Sequence, residues 1–190
     1  MIRPRLPGCW PVLLLPVALL AATSLAPAAA ADPSTAPWTT FRHPVYGFAV
    51  SHPHAWETLS GEGRAAFAAM GPPAAGASGL RLSVVVATGP VPAGASIEQA
   101  DAEVQQLLAG QSGTVRVLRR DRIDLRGVPS FILYMARTTP TGQQLYQMVL
   151  VVIHRGRGYA VVGTTAAAST NLAEETRLLQ RVLLTFQPGT

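Results

Sequence analysis

Apolar and polar positions in the second half of this chain change places with a period of two, broken at short intervals by Gly, Pro, Thr and Arg. Such a pattern predicts strands over Thr114–Leu125, Ser130–Arg137, Gln144–His154 and Tyr159–Thr165, separated by RGVP, TTPTG and RGRG. Connections this short join antiparallel neighbours. QMVLVVI, residues 147–153, is apolar on both parities, which places its strand in the middle of the sheet with both faces covered. Earlier in the chain, FAVSHP sets Phe48, Val50 and His52 against Ala49 and Ser51, and Pro53 ends this strand by removing a ladder donor. Residues 64–70 suit a second short strand, 71–79 (GPPAAGASG) a loop, and LRLSVVVA a strand with Leu80, Leu82, Val84 and Val86 on one face.

The period changes twice to that of a helix. Ser96 with Gln99 three residues on is a capping box, and Ile97, Ala100, Val104, Leu107 and Leu108 follow as one apolar stripe before Gly110. Asn171 with Glu174 predicts a second N-cap, opening a helix whose apolar side is Leu172, Leu179, Val182, Leu183 and Phe186. The economical fold is α+β: a single antiparallel β-sheet flanked by helices, an α/β/α sandwich.

The N-terminal residues follow different rules. Arg3 and Arg5 precede an apolar run from Pro11 to Ala22 and a small-residue segment from Ala26 to Ala31, the three-part layout of a secretory signal peptide. Pro11, Pro16 and Pro27 interrupt the run, so it is short for a retained anchor, which needs about 20 apolar residues. The expected division is a signal peptide over residues 1–31, a flexible leader over 32–37 and one domain over 38–188, with no transmembrane anchor after cleavage and a periplasmic or secreted product.

Cys9 is the only cysteine and leaves with the signal. The mature chain then has no thiol for a disulfide, a nucleophile or a zinc site. Its positive charge is all arginine; loss of Arg3 and Arg5 leaves 13 basic against 10 acidic residues, a net +3. That balance gives no reason to expect nucleic acid as a partner.

Two short motifs carry a resemblance. Tyr46, Gly47 and Phe48 open a strand that Pro53 and Trp56 close, and Leu183, Thr185 and Phe186 end the last helix. With the intervening order of capped helix and strand meander, the chain from about Phe41 to Gln187 resembles the PsbP-like superfamily, which includes DcrB-like bacterial envelope proteins and the eukaryotic Ran-binding release factor. The resemblance implies a PsbP-like α/β/α sandwich and an accessory or binding protein, with no shared catalytic residues and no cofactor. His52 departs from the aromatic or aliphatic residue more usual at its place.

The candidate chemistry is sparse. His52 and His54, two apart on an extended strand, would lie roughly 7 Å apart on one face, and His43 and Glu57 could complete a metal site. Pro53 between them argues instead that His52 is the amphipathic end of the strand and His54 is solvated. Phe48 and Trp56 read as core. Arg116, Arg120, Arg122 and Arg126 share a parity in VRVLRRDRIDLRG, with Arg119 among them, and would line one sheet face or edge. They suit an acidic partner or anionic headgroups, or guard an exposed edge. Glu98, Asp101 and Glu103 read as one exposed helical side, and Glu174 and Glu175 as favouring the last helix's dipole. Ser78 lacks the spacing of a nucleophile elbow, and GRGYAVVG at Gly156 that of a dinucleotide loop.

These observations predict a non-catalytic secreted accessory protein that binds another cell-envelope component through its arginine strand and the loops at 71–79 and 89–95. The alternatives are a metal-binding protein or metal-dependent enzyme using His43, His52 and His54, and a carrier of a small apolar ligand held between sheet and helix.

Overall fold

The computed structural model describes residues 37–61, 65–77, 79–109 and 114–189. The expected signal peptide, the leader up to residue 36, and Arg64, Ser78 and Gly110 lie outside the described residues. None of the described helices is long and apolar enough to cross a membrane.

Among the described residues, nine strands and two helices follow in the order β1 (Trp38–Arg42), β2 (Ala49–Pro53), β3 (Glu57–Ser60), β4 (Ala65–Pro73), β5 (Arg81–Pro90), α1 (Ile97–Ala109), β6 (Val115–Leu125), β7 (Val128–Thr138), β8 (Gln144–His154), β9 (Arg157–Ala166) and α2 (Leu172–Leu184). The single sheet expected from the sequence is in fact two. β1 and β2 form a separate antiparallel hairpin, and the other seven strands run β3-β4-β5-β9-β8-β7-β6. The hairpin packs by its side chains, with Phe41 stacked on Phe67 of β4 at 4.4 Å, which is why β2 keeps a buried face without joining the main ladder. β8 lies between β7 and β9, as its double-sided apolarity predicts.

The main sheet has a cluster of buried side chains on each face. On one face Ala100 and Val104 of α1 cover Phe131, Leu133, Val149 and Val151. On the other, Leu179, Val182 and Leu183 of α2 meet Val84, Val161 and Leu150, beside the hairpin's Phe48 and Val50. Apolar residues alternating along β5 and running together in β7 to β9 thus feed two layers at once.

Local chemistry explains most boundaries. The Ser96–Gln99 capping box is formed in both directions, Gln99 N–H to Ser96 Oγ at 3.3 Å and Ser96 N–H to Gln99 Oε1 at 3.0 Å. The expected side-chain cap at Asn171 is not made; its carbonyl accepts from Glu174 and Glu175, while Ser169 Oγ accepts the Asn171 N–H at 3.2 Å. Arg126-Gly127 and Arg155-Gly156 turn two hairpins with positive φ at both positions, as a two-residue type I′ turn requires.

Two loop expectations need correcting. β4 runs on through Gly71, Pro72 and Pro73, and β5 through Pro90. Trp56 lies so close over Gly71 that a Cβ there would come within 2.6 Å of the indole, so this glycine permits close packing inside a strand. The two prolines fit because β3 pairs β4 only as far as Met70, leaving that end of β4 on an edge.

Candidate binding groove beside the last helix

The two motifs that suggested a family meet in space. Phe48 and Trp56 are buried, and Phe48 lies between Phe186 and Tyr159 with ring centroids 5.8 and 6.1 Å away. Thr185 Oγ1 accepts the Ser51 N–H at 2.8 Å and donates to the Val182 carbonyl at 2.6 Å. Ala49 and Gln187 exchange backbone hydrogen bonds of 2.9 and 2.8 Å. Tyr46 stacks on His43 at 4.6 Å and is capped by the Arg157 guanidinium at 4.6 Å. These residues hold the two ends of the domain together.

The histidines are dispersed by the same packing. His43 is buried; its Nδ1 accepts the Val45 and Tyr46 N–H groups at 3.2 and 3.1 Å, so Nε2 donates to the Gly61 carbonyl at 3.2 Å. His52 is buried against Phe67 with Nδ1 2.9 Å from the Pro53 carbonyl, whereas His54 is exposed beside Thr39 Oγ1 at 2.8 Å. Pro53 ends β2 between the last two. Among the described residues no group of His, Cys, Asp or Glu is arranged to hold a metal. Under α2, Leu179, Val182, Leu183 and Phe186 are fully buried.

The arginines of β6 do not share one face. A register break between Val117 and Arg119 inserts Leu118 as an extra residue, and everything beyond it changes parity relative to Arg116. Arg120 and Arg122 face α1, where Arg120 Nη1 lies 3.3 Å from Asp101 and Arg122 Nη1 3.4 Å from Glu98. Asp101, expected on an exposed helical side with Glu98 and Glu103, is therefore buried, drawn inward by two guanidinium groups. Glu175 is likewise buried, accepting from the Ala75 N–H at 2.9 Å and the Thr165 hydroxyl. Arg116 is exposed on the other parity, and Arg126 is exposed in its turn.

The bulge turns Arg119 and Leu118 toward the α2 face. There they form one wall of a groove of about 250 Å³. α2 supplies the opposite wall with Thr176, Arg177 and Gln180, and Tyr134, Tyr146 and Met148 of β7 and β8 form the floor. Arg119 is committed: it pairs with Asp121 at 2.6 Å, and its guanidinium lies 5.3 Å from the Tyr134 ring centre. The hydrogen bond that Arg119 donates to the Asp121 carboxylate holds the guanidinium pKa above its usual range. Arg177 makes no ion pair among the described residues. Burial raises both phenol pKa values, with the Asp121 charge adding to the effect at Tyr134, so both stay protonated at neutral pH. Leu118 is 44% exposed at the rim.

None of these groove residues except those of β6 stands out in the sequence. Only the interruption of charge by Leu118 in VLRRDR hints that strand alternation fails there.

Solved structures of three proteins share this architecture. The cyanobacterial PsbP (CyanoP) of Synechocystis superposes with a TM-score of 0.58 at 13% identity, over 80% of this chain and 93% of that one. The PsbP-like fold is the fold of this chain. The Ran-binding protein Mog1p of Saccharomyces cerevisiae follows the same PsbP-like path, with a TM-score of 0.55 and 11% identity over 81% of this chain and 96% of its own. LpqN of Mycobacterium tuberculosis, involved in cell envelope biogenesis, does so at 0.51 and 14%, over 80% and 91%. No protein-family model matches the sequence, and no curated protein matches it. At these identities the likeness establishes the PsbP-like fold and nothing finer.

Proposed function

We propose that this protein is a non-catalytic accessory protein of the cell envelope, exported by its signal peptide, which works by docking a partner protein. The observation that carries this reading is the groove itself. α2 packs on β9, β5, β8 and β2, leaving the β6–β7 end of that face open between two arginines and two protonated tyrosines. The buried acids Asp101 and Glu175 are tied into the structure: Glu175 accepts from backbone and hydroxyl donors, and Asp101 pairs with Arg120. Structural neighbours named for binding Ran and for envelope biogenesis support an accessory role by fold analogy.

The partner-binding role read for Arg116, Arg120, Arg122 and Arg126 divides accordingly. Arg116 and Arg126 are free to meet an acidic surface. Arg120 and Arg122 reach a partner only by sharing or leaving the acids of α1.

The test is crosslinking of the tagged mature protein in its own envelope fraction, followed by mass spectrometry of the crosslinked sites. A stoichiometric partner crosslinked near α2 and β6 is expected. A folded, abundant bait that captures none overturns the reading.

A further inference from the structure

We infer that the groove between α2 and β6–β8 receives an acidic-apolar segment of a partner protein, one carboxylate pairing with Arg177 while a neighbouring apolar side chain lies on Tyr146, Met148 and Leu118. This rests on the docking role proposed above and names the chemistry docked.

Charge comes first. Arg119 is already neutralised by Asp121, whereas Arg177 has no carboxylate partner among the described residues, and the groove lining contains no acid. An entering carboxylate therefore meets one uncommitted guanidinium, which can bind it through two parallel hydrogen bonds. The phenols of Tyr134 and Tyr146 stay protonated at neutral pH and add donors instead of opposing charge.

Size and shape narrow the class. At about 250 Å³ the groove falls below the range of small-molecule and cofactor pockets, roughly 300–1,000 Å³, and suits one or two side chains of a chain that continues outside it. Leu118, 44% exposed at the rim, offers an entering side chain an apolar contact. The bulge at Leu118 also interrupts the β6 edge in mid-strand, so a partner strand cannot extend the ladder in register there. Recognition then falls to side chains in the groove. A bilayer would need a convex, broadly basic surface; this site is concave with one free cation.

The experiment titrates isotope-labelled protein, from residue 32 onward, with acetyl-Leu-Glu-Phe-Glu-amide and with its glutamine counterpart at low salt, following backbone amide shifts. The acidic peptide should shift α2 amides around 176–180 and those flanking Leu118, Tyr134 and Tyr146. Binding should weaken about tenfold for the glutamine peptide, the Arg177→Gln variant and the Leu118→Ser variant, the worth of one charge-assisted pair or one apolar contact. Both substituted residues are exposed, so unchanged melting will confirm that the fold persists. No shifts at millimolar peptide, equal binding of both peptides, or unaltered affinity of Arg177→Gln overturns the inference. So does Arg177-dependent binding to phosphatidylglycerol vesicles without peptide binding. An envelope partner that crosslinks equally well to Arg177→Gln sinks the groove assignment and leaves the accessory role standing. Peptide binding with no envelope partner does the reverse.

Discussion

The two faces of the main sheet are held by different forces. α2 buries Leu179, Val182 and Leu183 completely, and Gly163 of β9 lets it approach so closely that a Cβ there would come within 3.1 Å of Leu183 and 3.3 Å of Leu179. α1 buries only Ala100, Val104 and the charged Asp101, and is tied to β6 by Arg120 and Arg122. One layer rests on apolar burial and close packing, the other on a thin apolar contact reinforced by ion pairs. The bulge in β6 lets one strand serve both, turning Arg120 and Arg122 to α1 and Arg119 to the groove. Charge that would otherwise be solvated edge protection becomes part of the structure on one side and lines the groove on the other.

The contrast can be broken most forcefully at α2. Leu179→Ala should lose about 3 kcal/mol by urea denaturation, since a large buried side chain is removed from a site with little room to collapse. Next is the α1 face. Asp101→Ala strips Arg120 of its partner and should cost about 2 kcal/mol, less than a fully buried pair would because the Arg120 side chain is 28% exposed. The same difference should appear in hydrogen exchange, with α1 amides opening at lower free energy than α2 amides; equal protection would refute it. Replacing Arg126 and Arg155 by Asn, which tolerates positive φ better, should add about 0.5 kcal/mol each by raising the urea midpoint at unchanged slope.

Solution conditions separate the faces with no mutation, and the effect at neutral pH is nil. Tyr134, Tyr146 and Tyr159 all belong to the α2 face, and all three phenol pKa values lie above the model-compound value of 10.0, chiefly through burial. A raised folded pKa gives stability that is complete below pH about 10 and is lost as pH rises through the folded values. Alkaline melting followed with tyrosinate absorbance should therefore weaken the α2 face, whereas molar salt should preferentially speed exchange in α1 by screening its partly exposed ion pairs. Tyrosinate appearing well before unfolding begins would contradict this.

What the sequence makes legible follows from how local each cause is. The β5 to β9 strands, the Ser96 capping box and the burial of Phe48 and Trp56 are written in neighbouring residues, and the structure has them. The GFAVSHP strand is also local, but its detachment from the main sheet depends on Phe41 meeting Phe67, a contact between distant residues. β3 is four exposed residues, ETLS, with no apolar face to announce it. Gly71 reads as a loop signal until Trp56 is placed above it. Asp101 reads as solvent-exposed because its reason for burial, Arg120, is on another element. The groove is the extreme case: a bulge that no local pattern specifies brings Arg119 opposite Arg177 of a helix more than fifty residues away.

The clasp between Ala49 and Gln187, with Thr185 bonding Ser51 across 134 positions of sequence, also sets a clock. A ribosome releases the first of these residues long before the last, and Phe48 cannot close its aromatic cluster until Phe186 arrives. The domain therefore stays open until residue 187 has been made.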